Sequence, residues 1–279
     1  MQRTPAEAPA GRSLFVFACA LCAALGAVLL ALAPPRFAHA DPAPQLAPPL
    51  PTASPAPPAP PPLPPLATQR VTLPDDLART IEVYPPTDGQ PGAGMVVFLH
   101  ATCMDPRPVC DLLGNTGRVG SFLVCPSGNA TCAGAPDWHG TGAEKAAFLA
   151  QDLAKVEARF NRYLAHDDTL VGWSRGAFAA RDILYDEVAR GVTPHFNSLV
   201  IVAADVGPDP VRLRAAGIRR VLFAGGDRDG ARIAMQRAAV KLAAAGITTR
   251  YDSLGPVGHW LPDDFEARLA PGIAWIRQK

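Results

Sequence analysis

Ser174 stands between two glycines in Val171-Gly172-Trp173-Ser174-Arg175-Gly176, a setting that prepares a hydroxyl to act as a nucleophile. Upstream, Thr169-Leu170-Val171 is short, apolar and β-prone; downstream, Ala177 to Leu184 carries apolar residues at helical spacing. A serine at such a strand-to-helix turn is pushed out of the chain with its Oγ exposed. Gly172 and Gly176 remove the β-carbons that would block the turn and the approach of a substrate. A glycine-rich surface turn has the same local pattern, so the assignment depends on finding partners for the serine.

Those partners are a base and an acid. A serine hydroxyl is a weak nucleophile until an imidazole takes its proton, and the imidazole needs a carboxylate to hold its tautomer. In a parallel α/β sheet all three must lie at the carboxyl ends of strands. This requirement sorts the six histidines. His39 lies in the leader, and His166 and His195 precede the apolar runs Thr169–Val171 and Ser198–Ala203, at the wrong edge. His139 sits in an irregular segment flanked by cysteines and stays a weak candidate. His100 ends the strand Met95–Leu99 at the correct edge, but it precedes the nucleophile in chain order. His259 follows the strand-like Thr248–Leu254 and a Gly-Pro-Val-Gly turn, and it alone meets both conditions. For the acid, Arg220–Ala224 reads as a buried strand, Gly225–Gly230 as the turn after it, and Ala231 to Ala245 as a helix. Either Asp227 or Asp229 can orient His259, and both also suit ordinary turn and cap positions.

The motif set resembles an α/β-hydrolase of the esterase and polyester-depolymerase-like kind, from about Val71 to the C-terminus. Gly172-Trp173-Ser174-Arg175-Gly176 matches that family's nucleophile elbow, Gly226-Asp227-Arg228-Asp229 is similar to its Gly-x-x-Asp turn, and Gly258-His259-Trp260-Leu261-Pro262 matches its Gly-His-x-x-Pro segment. The order Ser174…Asp229…His259 is that of this fold. The resemblance favours Asp229 over Asp227 and implies a triad of Ser174, Asp229 and His259. Phe98-Leu99-His100-Ala101-Thr102-Cys103 resembles the family's His-Gly loop, which implies an oxyanion hole built from the backbone amides of Thr102 and Arg175. Ala101 stands where the family most often has glycine, which leaves the Cys103 amide as the alternative to Thr102. The implied architecture is a three-layer α/β-hydrolase fold, a mostly parallel central sheet with helices on both faces.

Around this domain, Arg3 and Arg12 precede an apolar run from Leu14 to Ala33, and Ala38-His39-Ala40 offers a small-x-small cleavage site. Residues 1–40 thus read as a signal peptide or, if uncleaved, a signal anchor that tethers the protein to a membrane. Neither Cys19 nor Cys22 has the context for lipid attachment. Residues 41–68 form a Pro/Ala-rich linker that cannot bury a core and that extends to roughly 80 Å as polyproline II. Residues 69–279 suit one catalytic domain, with a helix over Gly142–Leu164. Between the strands ending near Ala203 and starting near Arg220 there is room for one short helix, Pro210–Ala216, which predicts no cap domain and an open site lined by residues such as Trp138, Trp173 and Trp260.

A formal net charge of +1 argues against nucleic acid as a partner. No phosphate-binding loop, dinucleotide fingerprint or metal-ligand cluster is apparent, so no cofactor or metal is implied. Cys103, Cys110, Cys125 and Cys132 form an even set in a chain with an export leader, which predicts disulfides. Three connectivities are open. Short loops favour Cys103–Cys110 with Cys125–Cys132, while neighbouring third and fourth strands also permit bridges between their loops. The expected function is hydrolysis of a small-molecule or polymeric carboxylic ester by an exported, periplasmic or secreted serine hydrolase, with no obligate protein partner. A peptidase or amidase using the same triad, and a non-catalytic binding module on the same fold, are the alternatives.

Overall fold

Alternation along one strand generates the layers of the structure, a computed structural model that describes residues 63–278 apart from Pro65, Ala78 and His166. The leader, with Cys19, Cys22 and His39, and the linker up to residue 62 lie outside the described residues, as does His166. In strand β3 (Gly94–Leu99), Met95, Val97 and Leu99 point to one core while Val96 and Phe98 point to another. Successive side chains leave opposite faces of a strand, so a strand apolar throughout must be covered on both sides. The first core is closed by helices α2 (Gly142–Phe160), α3 (Arg175–Arg190), α4 (Pro210–Ala215) and α5 (Arg232–Ala244). The second is closed by α1 (Pro106–Leu113) and α6 (Phe265–Ile276).

The remaining strands of the main sheet are β1 (Val71–Pro74), β2 (Thr80–Tyr84), β4 (Ser121–Cys125), β7 (Asp168–Trp173), β8 (Phe196–Val202), β9 (Arg220–Gly225) and β10 (Thr248–Ser253). Their order is β1-β2-β4-β3-β7-β8-β9-β10. Pairing from β4 through β10 is parallel, and β2 joins β4 and β1 antiparallel at one margin. The fold is therefore a three-layer α/β sandwich around a mostly parallel sheet, as the sequence implies. Among the described residues no helix is long and apolar enough to cross a membrane.

Two local features depart from expectation. Helix α2 opens with a capping box, in which Thr141 and Glu144 bond reciprocally, but it ends at Phe160; Asn161–Tyr163 tighten into a 3-10 turn. A small antiparallel hairpin of β5 (Ala130–Cys132) and β6 (Ala135–Asp137) also lies beside the main sheet. Three residues per strand, with Pro136 in one of them, carry no readable period.

The disulfides correct the short-loop expectation: Cys103 pairs with Cys132 and Cys110 with Cys125. Helix α1 is the reason. It carries Cys110 on its buried face against β4, whose last residue is Cys125, while Cys103 stays in the loop ahead of the helix. The hairpin then brings Cys132 back to Cys103, with Met104 N donating to Pro136 O at 3.0 Å.

One buried group has no place in this packing scheme. Asp152 of α2 is fully buried, and neither carboxylate oxygen has a hydrogen-bond partner among the described residues. Burial, reinforced by Asp75 and Asp76 and opposed by Lys155 and Arg79, pushes its carboxyl up to about 7.

Candidate active site

Strand β7 and helix α3 meet at Ser174 with no intervening loop. The junction forces Ser174 to φ 51° and ψ −115°, a conformation that residues with a β-carbon rarely adopt and that persists only where surroundings impose it. They do so here: Ser174 N donates to Val202 O at 2.9 Å, and Ala177 N donates to Ser174 O at 3.0 Å. Gly172, next to last in β7, lies opposite Leu99 of β3. Gly176 lies so near the end of β3 that a β-carbon there would stand 2.0 Å from Leu99 O, so no other residue fits.

Ser174 Oγ lies 2.9 Å from His259 Nε2. On the other side of the ring, His259 Nδ1 faces Asp229 Oδ2 at 3.2 Å and Oδ1 at 3.4 Å. The carboxylate is buried while the imidazole is half exposed, so the acid is shielded and the base open to a ligand. Asp229 Oδ1 also accepts from Ala231 N at 2.8 Å, which fixes the carboxylate at the head of α5. Asp227 points elsewhere, is exposed, and accepts from Ser253 Oγ at 2.7 Å. Gly226 allows the acid turn to touch the histidine loop, since a β-carbon there would lie 2.2 Å from Val257 O. All three groups stand at the carboxyl ends of β7, β9 and β10, as the ligand edge of such a sheet requires.

The arrangement can transfer a proton from Ser174 Oγ to His259 Nε2 while Asp229 holds the Nδ1–H tautomer. Donors for a developing oxyanion are at hand. Arg175 is the first residue of α3, so its amide has no intrahelical acceptor. The amides of Thr102 and Cys103 have no acceptor among the described residues either. Cys103, at φ 50°, turns the chain immediately after them.

The side chains on this flank were not legible as site residues. Arg175 Nε donates to Thr102 Oγ1 at 3.0 Å and lies 3.7 Å from Asp137 Oδ1. Asp137 is buried, and its Oδ2 pairs with His139 Nε2 at 2.8 Å. His139 is thus engaged by Asp137 through the same nitrogen that a base would use. His100 is fully buried between Ala101 O (2.8 Å, Nδ1) and Ser127 O (2.9 Å, Nε2), and burial lowers its basicity. His195 lies at the opposite edge of the sheet, 3.0 Å from Asp168. Trp138 packs in the core against His100, whereas Trp173 and Trp260 flank the serine and the histidine.

Among the described residues, Cys103, Cys132 and Asp137 are grouped closely enough to resemble metal ligands. Both sulfurs are spent in their mutual bond, so the group offers no thiolate. A larger cavity of about 520 Å³ opens at the strand starts, beside Thr169, Ser198, Arg220 and Thr248. That is the edge away from Ser174, and we assign it no part in the chemistry.

No family model matches the sequence, and no curated protein does. Solved structures do match the fold. Esterase PE8 is similar with a TM-score of 0.55 at 21% identity, over 70% of this chain and 97% of that one. FphF, a fluorophosphonate-binding serine hydrolase of Staphylococcus aureus, is similar with a TM-score of 0.54 at 14% identity, over 77% of this chain and 100% of the other. An esterase of Pyrobaculum calidifontis gives 0.52 at 16% identity, over 75% and 84%. With sheet order, helix placement and these likenesses taken together, the chain has the α/β-hydrolase fold.

Proposed function

We propose that this protein is a serine hydrolase that cleaves carboxylic esters through an acyl-enzyme. Ser174 Oγ attacks the ester carbonyl as His259 Nε2 takes its proton, forming the Oγ–C bond and an oxyanion. The amides of Arg175 and of Thr102 or Cys103 hold that oxygen. Collapse breaks the bond from carbon to the alkoxy oxygen, and His259 returns its proton to the departing alcohol. A water molecule then repeats the sequence on acyl-Ser174 and releases the acid. Asp229 accepts from the Nδ1–H throughout and stabilises the imidazolium.

The observation that carries this reading is the relay Ser174–His259–Asp229, at 2.9 Å and 3.2 Å, on the ligand edge of the sheet. The esterases and serine hydrolase among the solved structures with this fold support it. An ester has a better leaving group than an amide, which places amide and peptide hydrolysis second. Export past an oxidising boundary accords with a leader ending near Ala40 and with two disulfides beside the site.

The test is covalent labelling. A fluorophosphonate probe should mark the native protein on Ser174, and Ser174→Ala should lose both the label and hydrolysis of a short aryl ester. Labelling of a folded protein at another residue, or ester turnover that survives Ser174→Ala, would refute the reading.

A further inference from the structure

The two sides of Ser174 differ in chemistry, and the difference bears on the substrate. On one side stand Arg175, Asp137, His139 and the Thr102 hydroxyl, all polar. On the other, a groove of about 320 Å³ opens between the start of α1 and the loop after His259. Its walls are Met104, Val109, Leu112, Trp173, Trp260 and Leu261, with Asp105 on the rim. Trp173 immediately precedes the serine and Trp260 immediately follows the histidine, so two walls of the groove are the chain neighbours of the reacting residues. The two indoles meet edge to face, with centroids 5.5 Å apart at 79°. Trp260 nonetheless remains 63% exposed. A ring that large, left in water beside an apolar groove, is surface waiting for an apolar occupant.

Resting on the ester-hydrolase reading, we infer that this groove is the specificity subsite and takes an uncharged aryl or alkyl group of the ester. Volume sets the size. A cavity of about 150 Å³ holds a benzene ring, so this one accommodates a phenyl ring with a short linker or an alkyl chain of about six carbons. Charge sets the polarity. Asp105 caps α1 through Arg107 N at 3.0 Å and places a carboxylate on the rim, which disfavours an occupant ending in a carboxylate. The polar end of the substrate then faces Arg175. The group can belong to the acid or to the alcohol of the ester, since both radiate from the same carbon.

Two substrate series tell these apart. Methyl hexanoate against methyl acetate varies the acid; benzyl acetate against ethyl acetate varies the alcohol. We expect kcat/KM to favour the larger member at least about tenfold in one series, the scale of a few methylenes well buried. Trp260→Ala removes a wall and Leu112→Trp fills the groove from the opposite side. Each should reduce that ratio to within about threefold of unity. Equal rates for large and small members in both series, or a ratio unchanged in both variants, overturns the inference while leaving Ser174-dependent hydrolysis intact. Binding is read separately from turnover. In Ser174→Ala, methyl hexanoate or benzyl acetate should change tryptophan emission saturably, and Ser174→Ala/Trp260→Ala should lose the change. That signal without turnover of any ester in the unmodified protein would sink the hydrolase reading and keep the subsite; absence of the signal sinks the subsite.

Discussion

The two walls that meet at Ser174 are held by different means. The wall carrying the proposed oxyanion amides is covalent: Cys103–Cys132 ties the Thr102 loop to the β5–β6 hairpin, and Cys110–Cys125 ties α1 to β4. The base wall has no cross-link. Its acid turn and histidine loop are joined by backbone bonds, Asp227 N to Gly255 O at 2.7 Å and Arg228 N to Val257 O at 3.0 Å, with the Asp227–Ser253 side-chain bond beside them. The contrast follows from what each wall must position. Asp229 and His259 lie in the loops that follow neighbouring parallel strands, β9 and β10, and those two loops bond to each other along their backbones. The oxyanion loop instead leaves β3 through an irregular, left-handed turn that no ladder controls. That loop carries the Cys103–Cys132 bond in addition to its backbone bond from Met104 N to Pro136 O.

The largest expected effects test the chemistry common to both walls. Ser174→Ala and His259→Ala should each lower kcat by several orders of magnitude, and the double variant should be little worse than either, because the groups act as one unit. Next come the two aspartates of the base wall. Asp229→Asn should lower kcat by about 10³ to 10⁴, whereas Asp227→Asn, whose amide oxygen can still accept from Ser253 Oγ, should leave kcat nearly unchanged. If the two variants were equally active, the buried carboxylate would not be the orienting acid.

The covalent wall should separate into two behaviours. Cys103→Ala/Cys132→Ala loosens the loop carrying the oxyanion amides, so kcat should fall about tenfold or more with KM nearly constant, since those amides act in the transition state. Cys110→Ala/Cys125→Ala should lower unfolding stability by about 3 kcal/mol, as loss of the longer Cys103–Cys132 loop also does, but with a smaller change in kcat. Equal kinetics in the two double variants would erase the distinction between a positioning bond and a structural one. The smallest effect on activity lies away from both walls. A raised carboxyl at Asp152 means the folded state binds its proton more tightly than the unfolded chain does. Its favourable contribution is fully present below the ordinary carboxylate range and is lost as pH rises to about 7. Asp152→Asn should therefore be more stable than the unmodified protein at pH 8 and lose that advantage toward pH 4, as melting temperatures across the range would reveal.

Legibility in the sequence follows the same division. Parallel strands apolar on both faces, short turns and chain order made the sheet readable, and with it the positions of Ser174, Asp229 and His259, because each sits at a strand end. The preference for Asp229 came from the likeness of its turn to a known motif; burial and the bond from Ala231 N give the physical distinction from Asp227. The oxyanion side was not readable in this way. Loop length suggested Cys103–Cys110, but a helix intervenes and turns Cys110 toward β4. The engagement of Arg175 with Thr102 and Asp137 joins residues 102, 137 and 175 across three connections, and no periodicity encodes it.

The bridges are nested, Cys110–Cys125 inside Cys103–Cys132. A chain that emerges amino end first therefore presents its cysteines in an order at odds with its final pairing. On the proposed route of export, Cys103 and Cys110 meet an oxidant before either native partner has appeared, and whatever joins them at that stage must later be exchanged. The inner bridge becomes possible once β4 has emerged, and the outer one only after the hairpin has turned back. Maturation of this site is thus a sorting problem in time, and yields of active protein should depend on a thiol–disulfide isomerase more than on the strength of the oxidant.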